Sequence, residues 1–149
     1  MVVVKIHPLY PLLLVATGLT FSCGGDINPI GTYRGKIVME DGSNVITLKL
    51  GANNKAEVRG LLPKTAHGTW EPEATGMGFV KDGVMAAFDV KKPSDQSFRV
   101  VLMLQPHDEG LTLADIRVRL LIEDKFSMLQ SYTLKEKKPL LRRLGEEKK

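Results

Sequence analysis

Tyr33 to Leu50 reads YRGKIVMEDGSNVITLKL. Tyr33, Ile37 and Met39 fall on one side of a period-two pattern, with Arg34, Lys36 and Glu40 on the other. Successive strand residues point to opposite faces, so this alternation predicts a half-buried β-strand. Asp41-Gly42 follows, a pair suited to a tight hairpin turn with positive φ at both central residues. Beyond it the pattern resumes, with Ile46, Leu48 and Leu50 inward and Val45, Thr47 and Lys49 outward. Two antiparallel strands joined by a short turn are therefore expected.

The same grammar runs through the rest of the chain. Asn53-Asn54 marks the next turn, after which Ala56, Val58 and Leu62 alternate with Lys55, Glu57 and Arg59. Pro63 stops the ladder at a corner over 61–66, and the His67-Gly68-Thr69-Trp70-Glu71 strand carries the sole tryptophan. Trp70 is expected in the core or as a plug at one barrel end. Phe79-Val80 reads as a short strand before a second Asp82-Gly83 turn, and Val84, Ala86, Phe88 and Val90 then face inward. After a turn at Pro93-Ser94-Asp95 comes Phe98, Val100, Leu102 and Leu104, the most apolar strand. Its other face carries Val101 and Met103, so the strand is expected to be either central or covered on both sides. A turn over 105–110 leads to Leu111, Leu113, Ile116, Val118 and Leu120. Residues 122–130 fit either a short helix or a strand, and 131–134 read as the last strand. Short strands at regular spacing, joined by turn pairs, predict an all-β fold. The short links favour a small antiparallel up-and-down β-barrel of about 8 strands, whose closure removes exposed edges.

Ahead of this domain stands LYPLLLVATGLTFSC, residues 9–23, behind a head carrying Lys5. A basic head, an apolar run and small residues describe a secretory signal. It ends on Cys23, the one cysteine in the chain. An exported domain built on disulfides carries cysteines in even number, so a single Cys at this position points to lipidation. Residues 1–22 are thus expected to be a lipoprotein signal peptide, with Cys23 the acylated first residue of the mature chain. Cleavage after Ser22 or Ala16, leaving a free thiol, is the competing reading. An uncleaved span is disfavoured, because the apolar run contains Pro11 and falls short of the ~20 residues a membrane helix needs. Residues 23–29 form a flexible tether, 30–138 the barrel, and 139–149 a basic tail. The tail is expected to be solvated and frayed; a reading in which it lies on an anionic membrane is the alternative. Gly24 after Cys23, instead of Asp, favours the outer over the inner membrane.

The net charge of +4 is concentrated in the C-terminal residues and in Lys5, leaving the body close to neutral. That distribution speaks against nucleic acid as a partner, since a binder places its positive charge on the domain face among aromatics. No nucleophile elbow, zinc-protease or phosphate-loop motif occurs. His67 and His107 are far apart in sequence, and His107-Asp108-Glu109 lacks the spaced oxygens of a calcium loop. Glu71 and Glu73 read as a solvated pair. No metal, no cofactor and no catalytic residue is expected, and the chain is read as a non-enzyme. The small inward residues Gly35, Ala56, Gly60, Gly68 and Ala86 leave two readings open: room for a ligand, or freedom for the strands to curve.

The order Gly31-Thr32-Tyr33-Arg34-Gly35, then Asp41-Gly42, then Ile46-Thr47-Leu48-Lys49-Leu50, then Gly68-Thr69-Trp70 resembles the amino-terminal domain of the NlpE copper-resistance lipoproteins and their small lipocalin-like relatives. Tyr132-Thr133-Leu134-Lys135 is similar to the family's closing strand. The resemblance implies a lipocalin-like barrel hung from a lipidated cysteine in the bacterial envelope. The family's CxxC pair is missing from 38–42, so the resemblance implies no copper or redox role. The expected function is a lipid-anchored, non-catalytic envelope protein whose barrel binds a partner protein or a small apolar ligand. The alternatives are a purely structural surface lipoprotein or an inhibitor of an envelope enzyme.

Overall fold

The computed structural model describes residues 28–72, 83–92, 96–122, 125–132 and 134–145. The expected lipidation site Cys23, the signal and tether up to 27, Phe79-Val80, Glu73 and Asp82 lie outside them. Every regular element is a strand: β1 (Gly31–Met39), β2 (Gly42–Leu50), β3 (Lys55–Arg59), β4 (Ala66–Pro72), β5 (Val84–Lys91), β6 (Ser97–His107), β7 (Gly110–Ile122), β8 (Lys125–Tyr132) and β9 (Leu140–Arg143). β1 to β7 pair in sequence order, each antiparallel to the next. β9 then pairs with β7 on one side and β1 on the other, and the ring is shut. The result is an antiparallel up-and-down barrel of 8 strand positions.

The closing position is shared. β8 and β9 run in the same direction along one edge of β7, β8 opposite Ile116–Ile122 and β9 opposite Gly110–Thr112. Between them Leu134 makes a single bridge to Met39, and the Lys135 N–H donates to the Val38 carbonyl. Residues 122–130, open between helix and strand from sequence, are strand wherever they are described: β7 ends and β8 begins within them. One sequence expectation is corrected here. The stretch 139–149 is not simply a solvated tail, because Leu140–Arg143 is the strand that completes the ring and Leu141 is fully buried. The barrel domain therefore extends past residue 138, to Arg143. The basic character of Arg142 and Arg143 suggested solvent, but alternation places Leu141 inside while Arg142 faces out.

The turns also differ from expectation. Met39 pairs with Gly42, so the hairpin turns on Glu40-Asp41, neither at positive φ, and Gly42 alone takes positive φ at 146°. The left-handed pair sits instead at Asn53 (φ 56°) and Asn54 (φ 60°), residues whose short polar side chains tolerate that conformation. A bulge at Ala114, where Met103 pairs with Asp115 and Leu104 with Leu113, shifts the alternation of β7. It lets Leu113 and Ile116 both face inward.

Candidate functional site

The inward side chains build the barrel interior in layers. Ile37, Ile46, Leu48, Val58, Ala86, Phe88, Leu102, Leu104, Leu113 and Leu141 are each 0% exposed, so no water-sized space touches them. The inward glycines offer either room for a ligand or freedom to curve, and packing decides between the two at Gly35 and Gly68. A Cβ on Gly35 would lie 2.7 Å from Leu141 Cδ2, and one on Gly68 would lie 2.9 Å from the Phe88 ring. Their missing side chains are replaced by neighbours, not by void. No buried polar or charged side chain interrupts this filling among the described residues.

The two ends of the barrel differ. At the lower end, where β1 starts and β4 finishes, Trp70 is the plug. Its indole Nε1 donates to the Gly51 carbonyl at 2.8 Å, and Asn54 Nδ2 donates to the Trp70 carbonyl at 2.9 Å. The 51–54 loop thus supplies the acceptor for the indole at Gly51 and, at Asn54, partners for the Trp70 backbone. Beside it, Tyr33 is buried, and its hydroxyl donates to the Pro29 carbonyl at 2.7 Å. The Arg143 guanidinium lies 5.9 Å from the Tyr33 ring centre and donates to the Ile30 carbonyl. Burial pushes the Tyr33 phenol above its usual range, partly offset by the positive charge of Arg143. The segment 28–30 is in this way strapped across the end of β1 and β9.

At the upper end the inward series stops without a plug of this kind among the described residues. Val90, Phe98, Val118, Leu134, Leu61 and Leu62 pack on the core yet remain half-buried. They come from the upper ends of β5, β6 and β7, from the β3–β4 corner and from the bridge residue beside Met39. Below them Phe88, Val58, Ile46 and Ile37 form a solid floor. This partly exposed apolar end above the packed barrel is termed the upper cup. Such a surface offers dispersion and apolar burial to an occupant, with each methylene it covers contributing on the order of 0.8 kcal/mol.

The residues expected to stay outside any chemistry are placed as follows. His67 is 75% exposed on the outer face, 3.7 Å from Glu57, and Glu71 is exposed on the same strand. His107 lies on the lower β6–β7 turn, where its Nδ1 accepts from the Glu109 N–H at 3.2 Å. The structure does not bring the two histidines together, and no group of three or more potential metal ligands forms among the described residues. The upper cup was not singled out from sequence. Its members come from three strands, the β3–β4 corner and the bridge residue Leu134, and only the fold gathers them on one core.

No protein family, no curated protein and no solved structure matches this chain.

Proposed function

We infer that this chain is a lipid-anchored, non-catalytic protein of the bacterial cell envelope, of the NlpE-like type. It works by receiving an apolar group in the upper cup, from a small ligand or from a partner protein. The observation that supports the binding role is the inequality of the two barrel ends. The lower end is plugged by a hydrogen-bonded tryptophan, while the upper end leaves Val90, Phe98 and Val118 half-buried around a solid floor. The depth of that floor limits the occupant to a shallow insertion, such as the end of an acyl chain or one or two apolar side chains. The signal-like segment ending on Cys23 supports the anchor and the location.

The packed interior favours a second reading, a purely structural surface lipoprotein. Titration with an environment-sensitive apolar dye separates the two. Saturable binding that is lost in Val118→Glu and retained in a surface control such as Lys64→Gln supports the cup. Absence of saturable binding in a folded protein favours the structural role. The anchor is tested on its own by intact mass from native membranes: a chain beginning at Cys23 and carrying acyl groups is expected, and an unmodified chain cut elsewhere would remove it.

A further inference from the structure

The three neighbouring strands β9, β1 and β2 contain no acidic residue, yet carry Arg34, Lys36, Lys49, Arg142 and Arg143. The strands on either side of this group and beyond it, by contrast, carry carboxylates: Glu57 on β3, Glu71 on β4, Asp89 on β5 and Asp115 on β7. Register brings the basic residues together. Arg34 stands directly opposite Arg142 across the β1–β9 pair, and Lys36 and Lys49 lie on the same outer face of β1 and β2. Like charges set across a ladder destabilise it, so this wall holds charge that the fold itself does not use. Arg142 reaches Glu109 at 3.2 Å, an exposed pair. Among the described residues no carboxylate forms an ion pair with Arg34, Lys36 or Lys49.

Apolar exposure follows the same wall. The large hydrophobic residues exposed among the described residues are Ile30, Val45 and Leu144. Val45 pairs with Lys36, while Ile30 precedes β1 and Leu144 follows β9, its N–H donating to the Thr32 carbonyl. Exposed apolar side chains interleaved with unpaired cations suit the boundary between anionic headgroups and acyl chains. Stacking of nucleic-acid bases needs exposed aromatic rings, and the aromatic residue of these strands, Tyr33, is buried. The strap at 28–30, bonded to Tyr33 and Arg143, also brings the chain out at the lower edge of this wall.

We propose that the β9–β1–β2 wall is a membrane-facing surface that binds anionic phospholipid headgroups. An anchor preceding residue 28 leaves the barrel at that wall, so tethering and charge act on the same face. The proposal rests on the envelope reading for its access to a membrane, but its test does not require the acyl chain. The full chain carrying Cys23→Ala, which cannot be acylated there, is sedimented with vesicles of phosphatidylcholine alone and with vesicles containing phosphatidylglycerol. Insertion of the apolar 9–22 run contributes to both, so the ratio between the two is the reading. The unsubstituted wall is expected to prefer the anionic vesicles, and the preference to fade as salt is raised.

Arg34→Gln with Lys36→Gln and Lys49→Gln should lower that ratio by at least about tenfold, given the contribution of each base near such a surface. Lys64→Gln with Lys91→Gln and Lys92→Gln, which removes the same charge elsewhere, should leave most of it. Equal loss in both sets, no loss in the wall set, or no preference to begin with would overturn the proposal. Preferential binding to a DNA duplex over the anionic vesicles would do the same. Mass analysis of Cys23 remains a separate result, so the anchor and the wall fail independently.

Discussion

Gly35 and Leu141 meet on the inner wall at the seam of the barrel: a Cβ on the glycine would lie 2.7 Å from Cδ2 of the leucine. Leu141 is 0% exposed, and its strand is the short β9 that joins β7 to β1. The seam is thus held by a short strand and one well-packed side chain. Leu141→Ala is expected to cost about 2–5 kcal/mol, as for other fully buried leucines. Gly35→Val should destabilise as well, because the Leu140 backbone and the Leu141 side chain both occupy the space it needs. Urea denaturation followed by circular dichroism measures both; full stability in either variant would contradict the seam.

The lower plug makes a different prediction. Trp70→Phe keeps most of the apolar contact but leaves the Gly51 carbonyl without its indole donor, a loss of about 1–2 kcal/mol. Trp70→Ala also opens a cavity and should lose about 3–5 kcal/mol. Trp70 is the sole tryptophan, so its emission in the parent chain reports on this end of the barrel alone. A blue-shifted emission maximum that moves to longer wavelength on unfolding is expected.

Alkaline pH addresses the strap. The Tyr33 phenol has its pKa raised in the folded state, mainly by burial. A group shifted upward contributes stability that is fully present below its unfolded pKa and is lost as pH rises through the folded value. Ionisation also removes the proton that Tyr33 donates to Pro29. Ultraviolet titration should therefore show a tyrosine ionisation step above the usual phenol range. Tyr33→Phe should remove that late step and flatten the alkaline fall in stability.

Acid pH touches the opposite wall. Asp89 accepts from Arg99 at 2.6 Å and 2.9 Å, and that pair holds its carboxyl below the usual range. A depressed pKa contributes stability that is present above the unfolded value and is lost as pH falls through the folded one. The side chains are 66% and 38% exposed, so solvent screening keeps the contribution at about 1 kcal/mol or less. Asp89→Asn should accordingly reduce the difference in stability between neutral and acid pH only slightly, and a large change would point to a role beyond this ion pair.

Most of the barrel could be read from alternation alone. The inward sets of β1, β2, β5 and β6 fall where period two puts them, since one face of each strand must leave water. What sequence reading missed depended on partners distant in the chain. β9 is four residues long, and half of it is arginine. Only pairing with Tyr33-Arg34 and with Gly110–Thr112 makes it a strand. The first hairpin turns one residue earlier than Asp41-Gly42 suggests, because Asp-Gly signals a turn without fixing which residues are its centre. The cup and the basic wall share this dependence. Arg34 and Arg142 acquire a common face, and Leu134 comes to lie against Met39, only once the closing segment is in place.

The shared closing position has a consequence for biogenesis. Neighbouring strands from β1 to β7 can pair as soon as each appears, but the β1–β9 seam joins Tyr33 to Arg143 and cannot exist before residue 143 has been delivered. Until then both borders of the sheet, β1 and part of β7, lack the strand that covers them. A chain emerging from a ribosome or a translocation channel is held as an open ribbon for almost the whole of its passage, and such unpaired borders attract other chains. The four-residue β9 works as the latch of the molecule. Its arrival gives both borders of the ribbon a partner at once and turns the sheet into a closed ring.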